Sequence, residues 1–288
     1  MNDPLVSVLV VNFNGAAHLP GCLLALARQS LPRHRFEVVV LDNASVDGSA
    51  ELVREHPWMT LVRSPVNLGF AEGNNVAARY AHGSRLVLLN NDTLPDPHWL
   101  TELVRVSDRH PGRLVASKLV FAHDPTLMNS GGLVLLRDGR GADLGFRRPD
   151  DGRFERTQPV FAGCGAALLV PRPPHGRLLF RGEYFVYYED TELGWRHRRA
   201  GSGCVFAPRA LVRHVHGAAA GDRSPVFARY NDRNRALTAL RHGDPVAAAY
   251  SLAALAAKAV RGQLPAALSA VRHAPRVLAE RFGFVGGN

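Results

Sequence analysis

The sequence predicts an α/β fold in which helices flank a mostly parallel central sheet. Three observations lead to this prediction. From Val6 to about residue 110, segments of strand and helix character alternate, short loops connect them, and the strand segments are continuously aliphatic. Continuous aliphatic strands are typical of parallel sheets with both faces covered, because neither face of such a sheet meets water. We therefore expect an open α/β domain of the nucleotide-binding kind.

The first half of the chain supplies four predicted strands and four predicted helices. The strands are VSVLVVNFN, FEVVVLDNAS, MTLVRS and RLVLLNND, and the helices are HLPGCLLALARQS, DGSAELVREHP, AEGNNVAARYAHG and DPHWLTELVRVSDRHP. Pro57 is expected to end the second helix and Gly83 the third, because proline and glycine are common at helix ends.

After about residue 112 the pattern changes. Short strand-like segments, namely RLVASKLVF, GGLVLLR and GAALLVPR, alternate with loops rich in glycine, proline and arginine. We expect these segments to extend the same sheet. The segment YYEDTELGWRHRRAG has helical spacing, and Gly201 can close that helix.

The C-terminal part is different in composition. From Val246 onward the chain is rich in alanine and reads as helix, and residues 241–288 contain six basic and two acidic residues. We therefore divide the chain into residues 1–240, an α/β domain, and residues 241–288, an Ala-rich basic helical extension. A basic helix is attracted to anionic membrane surfaces, although packing against the first domain would also explain it.

Composition excludes several classes of protein. The net charge is +10, from 35 basic and 25 acidic residues, but zinc-finger spacing and RNP-like aromatic patterns are absent, so we expect no nucleic-acid partner. The three cysteines, Cys22, Cys164 and Cys204, are widely spaced, which fits a reducing cytosol better than a disulfide framework. The N-terminus lacks the basic region of a signal peptide. The longest apolar run is about 12 residues, which is shorter than a membrane span requires.

Polar side chains follow three of the predicted strands where each strand ends. They are Asn12–Asn14, Asp42–Asn43 and Asn90–Asp92. In open α/β sheets, ligands bind at the carboxyl ends of the strands, near the point where the strand order reverses. The sequence therefore predicts a ligand site at this edge of the sheet.

Each candidate in the first half also has an ordinary structural explanation. Asp42 can bond a ribose or a pyrimidine edge, or it can cap a turn. The segment NLGFAEGNN, with Gly69 and Gly73, allows the backbone to approach a ligand closely, or it simply leads into a helix. Asp92 can hold Mg²⁺ or Mn²⁺ against a diphosphate, or it can end a turn before Pro95.

The second half adds two acids, two histidines and a basic triplet. One carboxylate of Glu189 and Asp190 can act as a general base, although acids also favour helix N-termini. His214 and His216 lie two residues apart, so in a strand they point the same way, toward a metal, a phosphate or solvent. The triplet Arg233–Arg235 could reach phosphates or lie on a solvated helix face.

Taken together and in this order, these motifs resemble those of the family 2 glycosyltransferases, which have the GT-A fold. The resemblance covers roughly residues 5 to 240 and rests on VSVLVVNFNG, LDNASVDGS, NLGFAEGNN, LLNNDT, FAGCGAALLVPR, YYEDTELGWRHRRAG and APRALVRHVHG. The sequence is most similar to the bacterial rhamnosyltransferase-like branch, which builds cell-surface polysaccharide.

The resemblance implies a set of site residues. Asp190, the second acid of the Glu189–Asp190 pair, would be the catalytic base. Asp92 would bind the metal, with His214 a better match than His216 for the histidine ligand. The nucleotide sugar would be bound by Asn12, Phe13, Asn14, Asp42, Asn67, Gly69, Asn74 and Asn91.

One departure from the family pattern concerns the metal. Asn90 stands where the first acid of the family's Asp-x-Asp motif would be. One carboxylate in place of two lowers the charge of the site, so Mg²⁺ or Mn²⁺ is expected to arrive mainly with the nucleotide diphosphate.

The resemblance also implies the reaction and its partners. The reaction would be a single displacement with inversion, from a dTDP-, UDP- or GDP-linked sugar to a glycan or polyprenyl-linked acceptor. We expect a cytoplasmic protein with a peripheral contact at the cytoplasmic face of the membrane.

Two other functions are compatible with an α/β sheet that has acidic residues at its edge. A nucleotidyltransferase is the first, but VNFNGAAHLP lacks the basic, glycine-rich phosphate loop such enzymes usually have. A sugar-nucleotide or glycan-binding protein without catalysis is the second, and the presence of both Asp92 and Asp190 argues against it.

Overall fold

The computed structural model describes residues 4–136, 139–216, 225–243, 245–259 and 264–282. Its strands are β1 Val6–Asn12, β2 Phe36–Asn43, β3 Thr60–Ser64, β4 Arg85–Asn90, β5 Thr93–Pro95, β6 Leu114–Phe121, β7 Met128–Ser130, β8 Leu133–Leu135, β9 Gly141–Asp143, β10 Gln158–Val160, β11 Ala167–Pro171 and β12 Cys204–His214. Its α-helices are α1 Leu19–Ala27, α2 Ser49–Leu52, α3 Gly69–Arg79, α4 Trp99–Arg109, α5 Glu189–Arg199, α6 Pro225–His242, α7 Pro245–Lys258 and α8 Leu264–Arg281.

The central sheet confirms the predicted α/β fold. Its strand order is β10-β12-β6-β11-β4-β1-β2-β3, and β5 and β7 pair with β12 and β6. Strand β1 runs parallel to β2 and β4, and β6 runs parallel to β12. Strand β11 is antiparallel to both of its neighbours, β4 and β6. Its first residues therefore lie at the carboxyl end of β4.

Helices bury both faces of the sheet, which explains the aliphatic strands. Val8 and Val10 point into one cluster, which α1 and α4 cover with residues such as Trp99. Leu9, between them, points into a second cluster, which α3 and α5 cover. Successive strand side chains alternate between faces, so both faces must be apolar. Each fully buried Val or Leu contributes roughly 1.5–3 kcal/mol relative to an exposed one.

Two segments differ from their predicted structures. The GGLVLLR strand is β8, which pairs with β9 in a separate two-stranded sheet and does not extend the central one. At Gly132, which has a φ of 96°, the chain leaves the direction of β7. The second predicted helix is only Ser49–Leu52 plus a 3₁₀ turn over Val53–Glu55, because the residue before Pro57 is disfavoured in helical conformation.

The C-terminal helices join the rest of the fold through buried ion pairs. Glu192 of α5 contacts Arg181, Arg196 and His242 at 3.1, 2.8 and 3.0 Å. Arg181 also reaches Glu280 of α8 at 2.8 Å. Helix α6 crosses residue 240, the boundary drawn from composition. The division of the chain at that residue stays a prediction.

Two properties of the described residues bear on membrane contact and charge. Every helix in the described ranges is too short or too polar to cross a bilayer.

Burial by itself raises the pKa of Glu192, but the charges of Arg196 and Arg181 and the hydrogen bond with His242 outweigh this effect. The pKa of Glu192 is therefore held well below its usual range.

We expect Glu192→Gln to reduce the free energy of unfolding by about 3–5 kcal/mol at pH 7, because it leaves buried arginines without their counter-charge. The folded-state pKa lies below the ordinary value of 4.5. The contribution of Glu192 is therefore present above about pH 4.5 and lost as pH falls through the folded pKa. Urea unfolding across this pH range measures the difference between variant and wild type.

A matched control is Glu51→Gln, since Glu51 forms an ion pair with Arg63 on the surface. That change should leave stability almost unaffected. Equal losses for both variants would contradict a buried network around Glu192.

Candidate functional site

The polar ends of β1, β2 and β4 meet at one edge of the sheet, as the sequence predicted. The Asn12 Nδ2 atom lies 3.3 Å from Asp42 Oδ1 and donates to Ser49 Oγ at 2.8 Å. Asn91 Nδ2 donates to Asn12 Oδ1 at 2.8 Å. Asn12 and Asp42 are buried. These contacts form a polar floor that links three strands.

The loop after β1 is tied to the loop after β2. Asn14, with a φ of 49°, accepts at Oδ1 from the Val46 N–H at 2.9 Å. A Cβ at Gly15 would lie 2.2 Å from Asn12 Oδ1 and from Asn91 Nδ2, so only glycine fits there. The ring of Phe13 is 42% exposed at the rim. Asn14 thus shapes the loop, while the Phe13 side chain is exposed at the rim of the site.

Asn67 and Gly69 build the next wall of the site. Asn67 Oδ1 accepts from the Gly69 N–H and from Asn43 Nδ2, both at 2.9 Å. Gly69 has a φ of 75°, and a Cβ there would lie 2.5 Å from the ring of Phe185. Asn74 donates to the Phe70 carbonyl at 2.9 Å, and its Oδ1 is buried without a hydrogen-bond partner.

Pairing of β5 with β12 places Asp92 beside His214. The Val215 N–H donates to the Asp92 carbonyl at 3.0 Å. His214 Nε2 lies 3.3 Å from Asp92 Oδ1, and His214 Nδ1 lies 2.8 Å from Asn129 Oδ1. An amide oxygen only accepts hydrogen bonds, so Nδ1 bears the proton. In neutral His214 the Nε2 lone pair therefore faces a carboxylate, an arrangement that a proton or a cation between them would stabilise.

The second histidine lies in an aromatic cluster. The ring of His216 packs on those of Phe121 and Phe146, with centroids 5.6 and 5.5 Å apart. The geometry therefore favours His214 over His216 as the partner of Asp92. In the described ranges, no group of three or more His, Cys, Asp or Glu side chains is arranged to hold a metal ion. Burial by itself raises the pKa of Asp92, but the neighbouring His214 outweighs this effect, and the pKa is lowered.

The acid pair lies at the start of α5, next to β11. Asp190 Oδ2 accepts from the Gly165 N–H at 3.1 Å, and Oδ1 accepts from the Thr191 N–H at 2.6 Å. Glu189 is buried, and its Oε2 has no hydrogen-bond partner. Burial raises the pKa of both carboxyls, and the charge of Asp190 raises that of Glu189 further. The two acids therefore differ in how well their charge is stabilised.

The backbone that leads into the acid pair is strained. Phe185, Tyr187 and Tyr188 have φ values of 60°, 70° and 68°. Phe185, with a ψ of −66°, is the centre of a γ-turn, in which the Val186 N–H donates to the Tyr184 carbonyl at 2.6 Å. Each residue held in such a region costs on the order of 1–3 kcal/mol, and such residues cluster at functional sites.

The triplet Arg233–Arg235 does not form the solvated helix face that was one of its two predicted roles, and a phosphate contact stays a prediction for Arg235 alone. All three side chains are buried, so they do not form a solvated helix face. Arg233 and Asn234 donate to backbone carbonyls of the turn before Glu189, and so they are not placed to hold a phosphate. Arg235 has two buried nitrogens, Nε and Nη2, without a hydrogen-bond partner.

Asp143 is a site residue that the sequence did not indicate. It lies on β9, and its Oδ1 is buried without a hydrogen-bond partner. Burial raises its pKa to about 6, and the charge of Asp190 adds to the effect, while Ser130 and His214 oppose it. A single Asp in a glycine-rich segment has no pattern, and only the β8–β9 pairing brings it near Asp190. Asn129, which holds His214, was missed for the same reason.

Comparison with known proteins agrees with this geometry. Residues 7–141 match the family model described as glycosyl transferase family 2. The glycosyltransferase AglE of Haloferax volcanii is 30% identical over 42% of this chain, which spans only 41% of that protein. The N-acetylglucosaminyl-diphospho-decaprenol L-rhamnosyltransferase of Mycobacterium tuberculosis is 29% identical over 78% of this chain and 80% of its own length.

A solved structure shows the same fold. It is the mannosyltransferase PcManGT of Pyrobaculum calidifontis in complex with GDP-Man and Mn²⁺, at a TM-score of 0.57 and 22% identity. The match covers 98% of this chain and 83% of that one. The strand order, the polar strand ends and the matched sequence lead to one conclusion: the chain contains a glycosyltransferase family 2 domain and has the GT-A fold.

Proposed function

We propose that this protein is an inverting glycosyltransferase, which moves a sugar from a nucleotide diphosphate to a hydroxyl of a glycan or lipid-linked acceptor. The observation that supports this best is the position of Asp190. Its carboxylate is hydrogen-bonded to the Gly165 N–H. The next residue, Ala166, accepts at its carbonyl from the Asn90 N–H at 2.9 Å. The acid thus adjoins the strand end that carries Asn91 and Asp92.

Asp190 has the properties of a general base. Oδ1 accepts from the N–H and the hydroxyl of Thr191, and Oδ2 accepts from the Gly165 N–H, which fixes the direction of the carboxylate. Oδ2 has lone-pair capacity left for the acceptor hydroxyl. Burial raises the pKa of Asp190, which strengthens it as a base. In the proposed reaction, Asp190 takes the proton of the acceptor hydroxyl. The acceptor oxygen bonds to the anomeric carbon as the bond to the diphosphate oxygen breaks, and the nucleoside diphosphate leaves with that electron pair.

The donor would lie along the polar floor. Phe13 is available to stack on the base, and Asp42 and Asn12 to bind the nucleoside. Asn14, Asn67 and Gly69 would act by shaping the loops of the pocket. Asn74 and Asn91 complete the proposed set, and the unpaired buried Oδ1 of Asn74 is an acceptor for a substrate hydroxyl.

We expect Asp190→Asn to lower kcat for transfer by about 100-fold or more, because general bases contribute roughly that much. Donor binding should change little, since Asn keeps the shape of the side chain. The assay uses a panel of dTDP-, UDP- and GDP-linked sugars, with transfer followed by product formation and binding by calorimetry. dTDP-rhamnose belongs in this panel because of the rhamnosyltransferase relative.

Glu189→Gln is the comparison variant. If Glu189→Gln abolishes transfer and Asp190→Asn does not, the base has been assigned to the wrong acid. If no donor binds or reacts, a binding protein for other glycans becomes the better reading. Release of diphosphate on incubation with a nucleoside triphosphate and a sugar phosphate would instead identify a nucleotidyltransferase.

Asp92 and His214 fit a divalent cation, Mg²⁺ or Mn²⁺. His214 Nε2 and Asp92 Oδ1 face each other at 3.3 Å, and Nδ1 of the same ring is hydrogen-bonded to Asn129. Histidine ligands of metals usually donate their other N–H to such an acceptor. When bound, the cation would neutralise charge on the leaving diphosphate. With only two protein ligands, the remaining ligands would come from the donor's phosphates.

We expect Mn²⁺ and a nucleoside diphosphate together to raise the melting temperature by more than the sum of their separate effects. Each ligand stabilises the native state according to its own affinity, and the two act synergistically when each raises the affinity of the other. His214→Gln should weaken Mn²⁺ binding in the presence of the nucleotide by about 10-fold or more. His98→Gln, a change on the surface, is the control. Full Mn²⁺ synergy in the His214 variant would refute this site.

We further propose that the protein contacts the cytoplasmic membrane surface through α8. Spacings of three and four residues place several exposed apolar side chains on one side of this helix. The only acid among the described residues of α8, Glu280, is buried in the arginine network, so the exposed charges are positive. The apolar residues, with their exposed fractions, are Leu268 (61%), Val271 (69%) and Leu278 (37%) on α8 and Phe282 (66%) directly after it. Arg272 and Arg276 are exposed beside them, and Arg276 pairs with Glu280 at 3.1 Å.

We expect the protein to bind vesicles that contain phosphatidylglycerol and to bind phosphatidylcholine vesicles weakly, because basic and apolar groups act together on anionic surfaces. The double variant Val271→Ser, Phe282→Ser should lose most of this binding in a flotation assay. Leu24→Ser, on α1, removes an apolar side chain that is 46% exposed and should bind as wild type does. Equal binding by all three proteins would exclude α8 as the contact.

A further inference from the structure

We propose that Asn234 is a positioning residue for the transfer reaction. It holds the strained turn before Glu189 in the conformation that directs the Asp190 carboxylate. This inference rests on the proposed function, because it assumes that Asp190 is the base. Asn234 is fully buried, and its side-chain amide is engaged by backbone carbonyls of the turn and by Arg233, so it acts through the turn.

The backbone carbonyl groups of the turn, residues 183–187, accept hydrogen bonds from α6 and from the start of α3. Buried carbonyl groups must be paired, so each one can be accounted for. The Glu183 carbonyl accepts from Arg233 Nη1, and the Phe185 carbonyl accepts from the Ala71 N–H at 3.0 Å. The carbonyls of Tyr184, Val186 and Tyr187 all lie within hydrogen-bond distance of Asn234 Nδ2 and share its two N–H groups. One helix, α6, therefore supplies donors to four of these five consecutive carbonyls.

The side-chain amide of Asn234 is the centre of this arrangement. Its Nδ2 lies 2.7, 2.9 and 2.8 Å from the carbonyl oxygens of Tyr184, Val186 and Tyr187. Its Oδ1 accepts from Arg233 Nη1 at 2.6 Å, which fixes the orientation of the amide. Three carbonyls can converge on one amide only because the chain folds back on itself at the left-handed residues. Asn234 thus stabilises a conformation in which the backbone of the turn is strained.

The same turn contacts the donor side of the site. The ring of Phe185 lies against Gly69, where a Cβ would be only 2.5 Å away, and it stacks on Tyr230 of α6 at 4.8 Å. The turn is therefore held between α6 and the start of α3. A shift of the turn would move Asp190 relative to the donor pocket, so Asn234 couples the base to the donor.

The test compares Asn234→Ala with Leu237→Ala. Leu237 lies one turn further along α6, is fully buried, and belongs to a hydrophobic cluster with Val277 of α8. We expect Asn234→Ala to lower kcat by about 10- to 100-fold, as small displacements of reacting groups do. The KM for the donor should stay within about threefold. Leu237→Ala should lower the melting temperature without a comparable loss of kcat.

A rescue experiment separates positioning from general stability. Glycine adopts a φ of 70° without strain. Tyr187→Gly should therefore recover part of the kcat lost in Asn234→Ala, because the turn then needs less support. If the double variant is no faster than Asn234→Ala, or if Leu237→Ala loses as much kcat at the same stability, the proposal is wrong.

Amide hydrogen exchange tests the turn without any transfer assay. In Asn234→Ala, peptides that cover residues 182–190 should exchange faster than in wild type, while in Leu237→Ala the increase should lie mainly in α6 and α8. Failure to observe transfer in wild type would refute the proposed function but leave this readout intact. Unchanged exchange in residues 182–190 would overturn the role of Asn234.

Discussion

The hydrogen bond from the Gly165 N–H to Asp190 Oδ2, at 3.1 Å, joins the two halves of the site. It exists because β11 lies antiparallel between β4 and β6, so that the residues preceding β11 arrive at the carboxyl end of β4. The acid pair belongs to a helix about 100 residues beyond that strand end. Without this insertion of β11, the hydrogen bond that joins α5 to the polar edge of the sheet would be lost.

The site concentrates unfavourable features that the rest of the fold offsets. Asp143 and Glu189 bury carboxyl atoms without hydrogen-bond partners, and the turn at Phe185–Tyr188 is strained. Such features persist only where the surroundings over-determine them. Here α6 holds the turn through Arg233 and Asn234 and pairs with Glu192 of α5 through His242. Glu280 of α8 pairs with Arg241 of α6 and with Arg181. The C-terminal helices thus contribute to the geometry of the candidate site as well as to the core.

The acidic residues of the site contrast with the positive charge of the whole chain. The chain has a net charge of +10, but its buried site gathers the acids Asp92, Asp143, Glu189 and Asp190. A buried carboxylate is stabilised by a counter-charge or by protonation. The site residues respond differently: the pKa of Asp92 is lowered beside His214, while those of Asp143 and Asp190 are raised by burial. Asp92 is therefore shifted toward its charged form, and Asp143 and Asp190 are shifted toward their protonated forms.

The sequence by itself determined the fold class and the edge of the sheet where the site lies. Aliphatic runs indicate buried strands, and polar residues at their ends indicate the edge of the sheet. Both patterns lie within short stretches of sequence, so they can be recognised without the structure. The sequence also indicated Asp92, Asp190 and His214 as candidate site residues. Only the tertiary structure decided the rest, namely that Asp143 joins the acids and that Asn234 holds the turn. Both depend on contacts between residues about 50 apart in the chain, which no local pattern records. The same reason explains why Arg233–Arg235 resembled an exposed helix face. The polar side chains of a helix have the same sequence pattern whether they donate to water or to buried carbonyl groups.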